Sequence, residues 1–153
     1  MKQFLVFAFL CLLVTPCMAE QSVLEKQLLV KTAEGKSFAY NIELALTESE
    51  QMQGLMFRNE LDENAGMLFP FPDSQQRSFW MKNTLIPLDI IFVKQDGTIQ
   101  NIGANAVPLD LTPVSSTGPV KAVLEINGGQ AAERGIKPGD IVHHSIFGNS
   151  LAQ

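Results

Sequence analysis

The stretch FAYNIELAL, Phe38 to Leu46, decides the fold class of this chain. Phe38, Tyr40, Ile42, Leu44 and Leu46 fall at every second position, with Ala39, Asn41, Glu43 and Ala45 between them. Successive side chains of an extended strand point to opposite faces, so the run reads as a half-buried antiparallel strand. Upstream, Leu28, Val30 and Thr32 alternate with Gln27, Leu29 and Lys31, and Glu34-Gly35-Lys36 turns this strand into the next. Downstream, Pro87 precedes the apolar run Leu88 to Val93, and Gln95-Asp96-Gly97 forms a hairpin turn into Thr98 to Ile102. Val120 to Ile126 and Ile141 to Phe147 are again β-rich. These segments predict a mostly β fold, a single compact antiparallel β-barrel or β-sandwich.

Two short helices interrupt the strands. Thr47 and Glu50 form a capping box that opens a helix over Glu48 to Gln53, with Gly54 placed to close it. The stretch GQAAER, Gly129 to Arg134, makes a second helical turn closed by Gly135, and Ile136 to Asp140 then launches the last strand. Asn105 to Pro119 is too rich in Pro, Ser and Thr for a regular element and reads as a loop, long enough for a lid or rim.

Composition bounds the function. The 153 residues are 46% hydrophobic and 18% charged, which excludes disorder and suits one domain. Sixteen acidic against 11 basic residues give a net charge of -5, which argues against a nucleic-acid partner. Met1 to Ala19 has a basic Lys2, an unbroken apolar run from Phe4 to Val14, and small residues at Cys17 and Ala19. It reads as a cleaved export signal, too short to span a bilayer, leaving a domain over residues 20–153 without a membrane span. The expected location is the periplasm, or secretion. Cys11 and Cys17 leave with the signal, so the mature domain has no disulfide and no thiolate. No phosphate loop, nucleophile elbow, His-Glu-x-x-His pair or dinucleotide-binding glycine motif occurs. No cofactor is expected, and a monomer is.

Three stretches are unlike ordinary packing sequence: GLMFR (Gly54 to Arg58), GMLFPF (Gly66 to Phe71) and FWMKNTLIPLDIIF (Phe79 to Phe92). With VLEINGG (Val123 to Gly129) and GIKPGD (Gly135 to Asp140), they make the chain resemble a prokaryotic family known as domain of unknown function 192, from about Leu29 to Val142. The resemblance implies a small β-barrel or β-sandwich module, often exported, and brings no established activity.

The candidate site residues follow from the chemistry of these motifs. On a strand from Ser78 to Lys82, Phe79 and Met81 face the core, while Trp80 and Lys82 share the other face with Asn83 and Thr84 just beyond. A Trp beside an ammonium, an amide and a hydroxyl suits stacking and edge hydrogen bonding of a flat or sugar-like ligand. The alternative is that Trp80 caps a second apolar layer and Lys82 snorkels past it. Arg58 either pairs with a carboxylate such as Asp89 or Glu125, or presents a fork to an anion. The first expectation is therefore a binding module whose polar cleft is lined by Arg58, Trp80, Lys82, Asn83, Thr84 and Asp89 and roofed by the Asn105 to Pro119 loop. Its partner is a small molecule, an envelope glycan or an anionic envelope ligand.

Two rival readings use other residues. Asp89 and Glu125 lie within strongly apolar strands, where a carboxylate is costly unless paired or at a cavity. Facing each other across a cleft, they would serve as acid and base of a hydrolase. Met56, Met67 and Met81, with Trp80, would suit a soft Cu(I) ion, although Met is also an ordinary core filler. His143 and His144 are adjacent on a strand and so face opposite ways, which prevents both from binding one metal.

Overall fold

The computed structural model describes residues 26–150, and the expected export signal lies outside the described residues. The strands are β1 (Gln27–Lys31), β2 (Ser37–Leu44), β3 (Ala65–Gln75), β4 (Ser78–Phe79), β5 (Leu88–Val93), β6 (Ile99–Ala106), β7 (Val114–Ser115), β8 (Val120–Asn127) and β9 (Ile141–His143). The helices are α1 (Glu48–Gln53) and α2 (Gln130–Arg134), and a 3-10 turn spans Ser145–Phe147. Seven strands form one sheet in the order β6-β5-β8-β3-β2-β1-β9, and β4 pairs with β7 in a second. The large sheet curls into a half-barrel. Its edge strands approach at one end, where Thr98 bridges Ile141 and the Val142 N–H donates to the Gly97 carbonyl at 2.8 Å.

The mostly β architecture with two short helices is the one expected. One pairing departs from the antiparallel expectation: β2 and β3 run parallel, from Asn41 opposite Ala65 to Leu44 opposite Leu68. A parallel neighbour requires a crossover, and α1 with the segment after it carries the chain back to the starting end. Two further differences are local. The Asn105 to Pro119 segment contains β7, which pairs Ser115 with Ser78 and Val114 with Phe79. The last strand ends at His143, where the following His144 caps the 3-10 turn by accepting from the Ile146 N–H.

α1 forms as its sequence demands. The Thr47 hydroxyl accepts from the Glu50 N–H, and the Glu50 carboxylate accepts from the Thr47 N–H at 2.8 Å. α2 has no side-chain cap of its own, since its N-cap is Gly129. Asp89 supplies one from β5: Oδ1 accepts from the Gly129 N–H at 2.9 Å and Oδ2 from the Ala131 N–H at 2.7 Å. Such charged acceptors satisfy the otherwise orphaned donors of a helix start.

The sheet has apolar layers on both faces, which explains why β5 and β8 read as unbroken apolar runs. Leu124 and Ile126 of β8 and Ile91 and Val93 of β5 join Leu28, Val30, Tyr40 and Ile42 in the inner core. The alternate residues Val123, Leu88, Ile90 and Phe92 join Met67, Phe69 and Met81 in an outer one. Each fully buried side chain of this size stabilises the fold by about 1.5–3 kcal/mol. The outer layer is incomplete, and the gap in it holds the site.

Candidate functional site

The register of β8 aims Glu125 into the outer layer. Glu125 stands opposite Met67 on β3 and Ile90 on β5, so apolar neighbours flank it on both sides. It is 4% exposed, and among the described residues nothing hydrogen-bonds or ion-pairs with its carboxyl group. Burial pushes that carboxyl up from 4.5 to about 8, because no nearby charge or donor stabilises the ionised form. The group lies on the floor of an open cavity of about 560 Å³.

Four of the unusual sequence motifs meet there. GLMFR contributes Gly54, Leu55 and Met56, GMLFPF contributes Phe69 and Phe71, FWMKNT contributes Phe79, Trp80, Lys82, Asn83 and Thr84, and VLEINGG contributes Glu125. The glycines of the first two permit the close approach. A Cβ on Gly54 would sit 3.3 Å from the Phe69 ring and 4.0 Å from a Glu125 carboxyl oxygen, and its φ of 48° favours glycine. A Cβ on Gly66 would lie 2.8 Å from the Glu125 carbonyl oxygen.

The expected split along FWMKNT is observed, with β4 ending at Phe79 and a turn following. Met81 is buried, and Phe79 packs edge-on against Phe69 at 5.1 Å between centroids. Trp80 is 49% exposed at the cavity, not a cap on a buried layer, and the Lys82 ammonium lies 5.2 Å from its ring centroid. Asn83 and Thr84 also line the cavity; the Asn83 amide donates to the Met56 sulfur at 3.8 Å and the Thr84 hydroxyl to the Lys82 carbonyl at 3.3 Å.

Two of the expected lining residues lie elsewhere. Arg58 forms a two-bond fork on Glu43, at 2.6 and 2.8 Å, and does not line the cavity. Its partner is therefore neither Asp89 nor Glu125. Asp89 pairs in register with Ile126, one position off Glu125, so alternation puts the two carboxyl groups on opposite faces of the sheet. Asp89 is fully buried, and besides capping α2 it accepts from the Asn105 N–H at 2.7 Å. The acid–base pair across a cleft is not formed. Of the three methionines considered for copper, Met67 and Met81 fill the outer core, so binding through all three would have to open it.

The Asn105 to Pro119 segment buttresses the cavity without roofing it. The Leu109 N–H donates to the Thr84 carbonyl at 3.1 Å, and the Asp110 carbonyl accepts from the Met81 N–H at 2.9 Å. On the other side, the Phe57 N–H donates to the Asn83 carbonyl at 2.8 Å. These three segments carry the large exposed apolar side chains among the described residues: Leu46, Met52 and Phe57, then Trp80 and Leu85, then Val107, Leu109 and Leu111. Phe57 and Leu109 hold a left-handed backbone, at φ 64° each, which costs bulky residues strain.

Sequence reasoning missed Gln51, Met52 and Arg77 as lining residues. Gln51 donates to the carbonyls of Ala45 and Pro70, and Arg77 stacks 4.0 Å above the Phe71 ring while pairing with Asp73. They lie outside the distinctive motifs, and only the convergence of those motifs on one cavity could have pointed to them.

A curled β-sheet with Glu125 buried beneath a cavity lined by Phe69, Phe71, Phe79 and Trp80 thus defines a small β-module. The chain belongs to the DUF192 family, described as Uncharacterized ACR, whose pattern matches residues 29–144. A crystal structure of a protein of unknown function from Novosphingobium aromaticivorans is similar at 52% identity and a TM-score of 0.73, covering 76% of this chain and 83% of that one. A suggested transcription regulator from Sinorhizobium meliloti is similar at 39% identity and a TM-score of 0.77, covering 78% and 93%. A comparison with curated proteins found no match.

Proposed function

We propose that this protein is a binding module for a small ligand of the cell envelope, held in the cavity above Glu125. The observation that carries the reading is a buried carboxyl group with no partner among the described residues, facing an open cavity built from four distinctive motifs. A carboxyl group set among apolar side chains and hydrogen-bonded to nothing else in the described protein is free to pair with a ligand. Trp80 and Lys82 give that ligand an aromatic face and a positive charge. The export signal read in Met1 to Ala19 supports an envelope location, and a trimmed N-terminus in the exported protein would test it.

Binding is favoured over hydrolysis by the register that separates Asp89 from Glu125, since the acid–base reading needs both carboxyl groups at one bond. Of the two ligand classes, the anionic one suits the lining better than a hydroxyl-rich saccharide. Gln51, Ser78, Asn83 and Thr84 already spend side-chain hydrogen bonds on the protein itself, whereas a saccharide needs many free partners.

The mature chain has one tryptophan, so emission from Trp80 reports the site directly. Titration with anionic oligosaccharides, neutral envelope glycans and small aromatic acids should shift or quench it with one class, and Trp80→Phe with a calorimetric readout should weaken that binding. Emission unmoved by every class, and calorimetry silent as well, would overturn the reading.

A further inference from the structure

Taking the cavity as a ligand site, we infer that its occupant is a largely apolar molecule bearing one carbonyl-type oxygen, and that Glu125 donates a hydrogen bond to that oxygen. Three observations lead there. The floor offers the Glu125 carboxyl, flanked by Met67 and Ile90 and hydrogen-bonded to none of the described residues, and the lining residue Arg77 adds a buried Nε–H donor without a partner, which an oxygen acceptor would also satisfy. The rings of Phe69, Phe71 and Phe79 line it, and of the polar lining residues Gln51, Ser78, Asn83 and Thr84 already hydrogen-bond within the protein. The surface beside the cavity continues the apolar character through Trp80 and Met52, both well exposed.

The alternative occupant for a carboxyl group among aromatic rings is a cation, held by the ring faces and the carboxylate. Here the protein has already placed its own cations on two of those faces, Arg77 on Phe71 and Lys82 on Trp80. A ligand ammonium would meet them as like charges. The other charged group lining the cavity is Glu48, in the first turn of α1. With the Glu125 carboxyl held protonated up to about pH 8, its O–H is available to donate across the neutral range. A carbonyl oxygen, whether of an amide or of a carboxylate, accepts it.

The test uses 2-phenylacetamide, phenylacetate and phenethylamine, which share a ring and differ in the head. Carboxyl resonances of the protein carrying ¹³C-labelled glutamate are followed against pH, with and without each probe. The expected result is a Glu125 midpoint well above the carboxylate range, moved further upward by the amide and the acid and left in place by the amine. Affinity for the amide should fall about tenfold per pH unit above the midpoint. Glu125→Gln, which keeps a donor, should hold the affinity within about threefold and abolish the pH dependence, and Glu125→Leu should lose about tenfold. An ordinary midpoint in the free protein, or an amine that binds and lowers it, would overturn the inference. So would probes that perturb Trp80 without moving Glu125, an outcome that leaves the binding module standing. Probes that perturb neither group would count against both.

Discussion

The folded protein keeps a proton on Glu125 that the unfolded chain releases at ordinary acidity. Its carboxyl group has the value 4.5 when free and about 8 when buried. A raised pKa contributes stability that is fully present below about 4.5, declines as pH rises, and is gone above about 8. Between those limits the loss from this one group is about 1.4 kcal/mol per pH unit. Glu125→Gln should therefore flatten the pH dependence of urea unfolding between pH 5 and 8, and it should be more stable than the parent at pH 8. Equal slopes for the two proteins would mean that the carboxyl ionises normally. The sequence exposes this residue only halfway. PLDIIF and VLEIN each set an acid among apolar neighbours, and nothing local tells Asp89 from Glu125. What separates them is the face each occupies, fixed by a strand pairing one position out of step.

Elements differ in how much of their placement is local. α1 is legible because its cap is written within four residues, Thr47 to Glu50. α2 takes its cap from Asp89, which lies 40 residues before Gly129, so no window of sequence around the helix contains the reason for it. The parallel pairing of β2 with β3 is equally remote, since the crossover that demands it includes a stretch without period. The glycines of the motifs are visible in sequence, but their purpose is spatial. Gly66→Ala would press a methyl group against the Glu125 carbonyl and force β3 away from β8. Overpacking of this sort costs about 1–3 kcal/mol. Because the atom displaced belongs to Glu125, ligand affinity should fall together with the unfolding midpoint. A variant that loses stability and keeps full affinity would show that the floor tolerates the shift.

For the whole molecule, the half-barrel depends on the seam where its edges meet. Gly97 sits there with φ 87°, and a Cβ would overlap the Val142 carbonyl oxygen and the Asn149 amide. Gly97→Ala should therefore open the seam between β6 and β9, lowering stability by about 2–3 kcal/mol. The loss is measurable by thermal unfolding, with the cavity on the other face of the sheet left able to bind. Unchanged stability would show that Asn149 and the turn adjust without cost.

The seat of Glu125 in β8, hydrogen-bonded to β3 on one side and β5 on the other, has a kinetic consequence. Amides in the centre of a sheet exchange with solvent only through the largest openings of the molecule. The segments around the cavity are tied to the turn at Met81 to Thr84 by a few bonds each, and their amides open locally. An occupant that holds Glu125 thus grips the centre of the sheet while resting against a turn that opens locally. Deuterium uptake would slow first at the lining turn, at Thr84, whose N–H donates to the Met81 carbonyl at 3.1 Å, and the floor would report binding only through the rate of global unfolding.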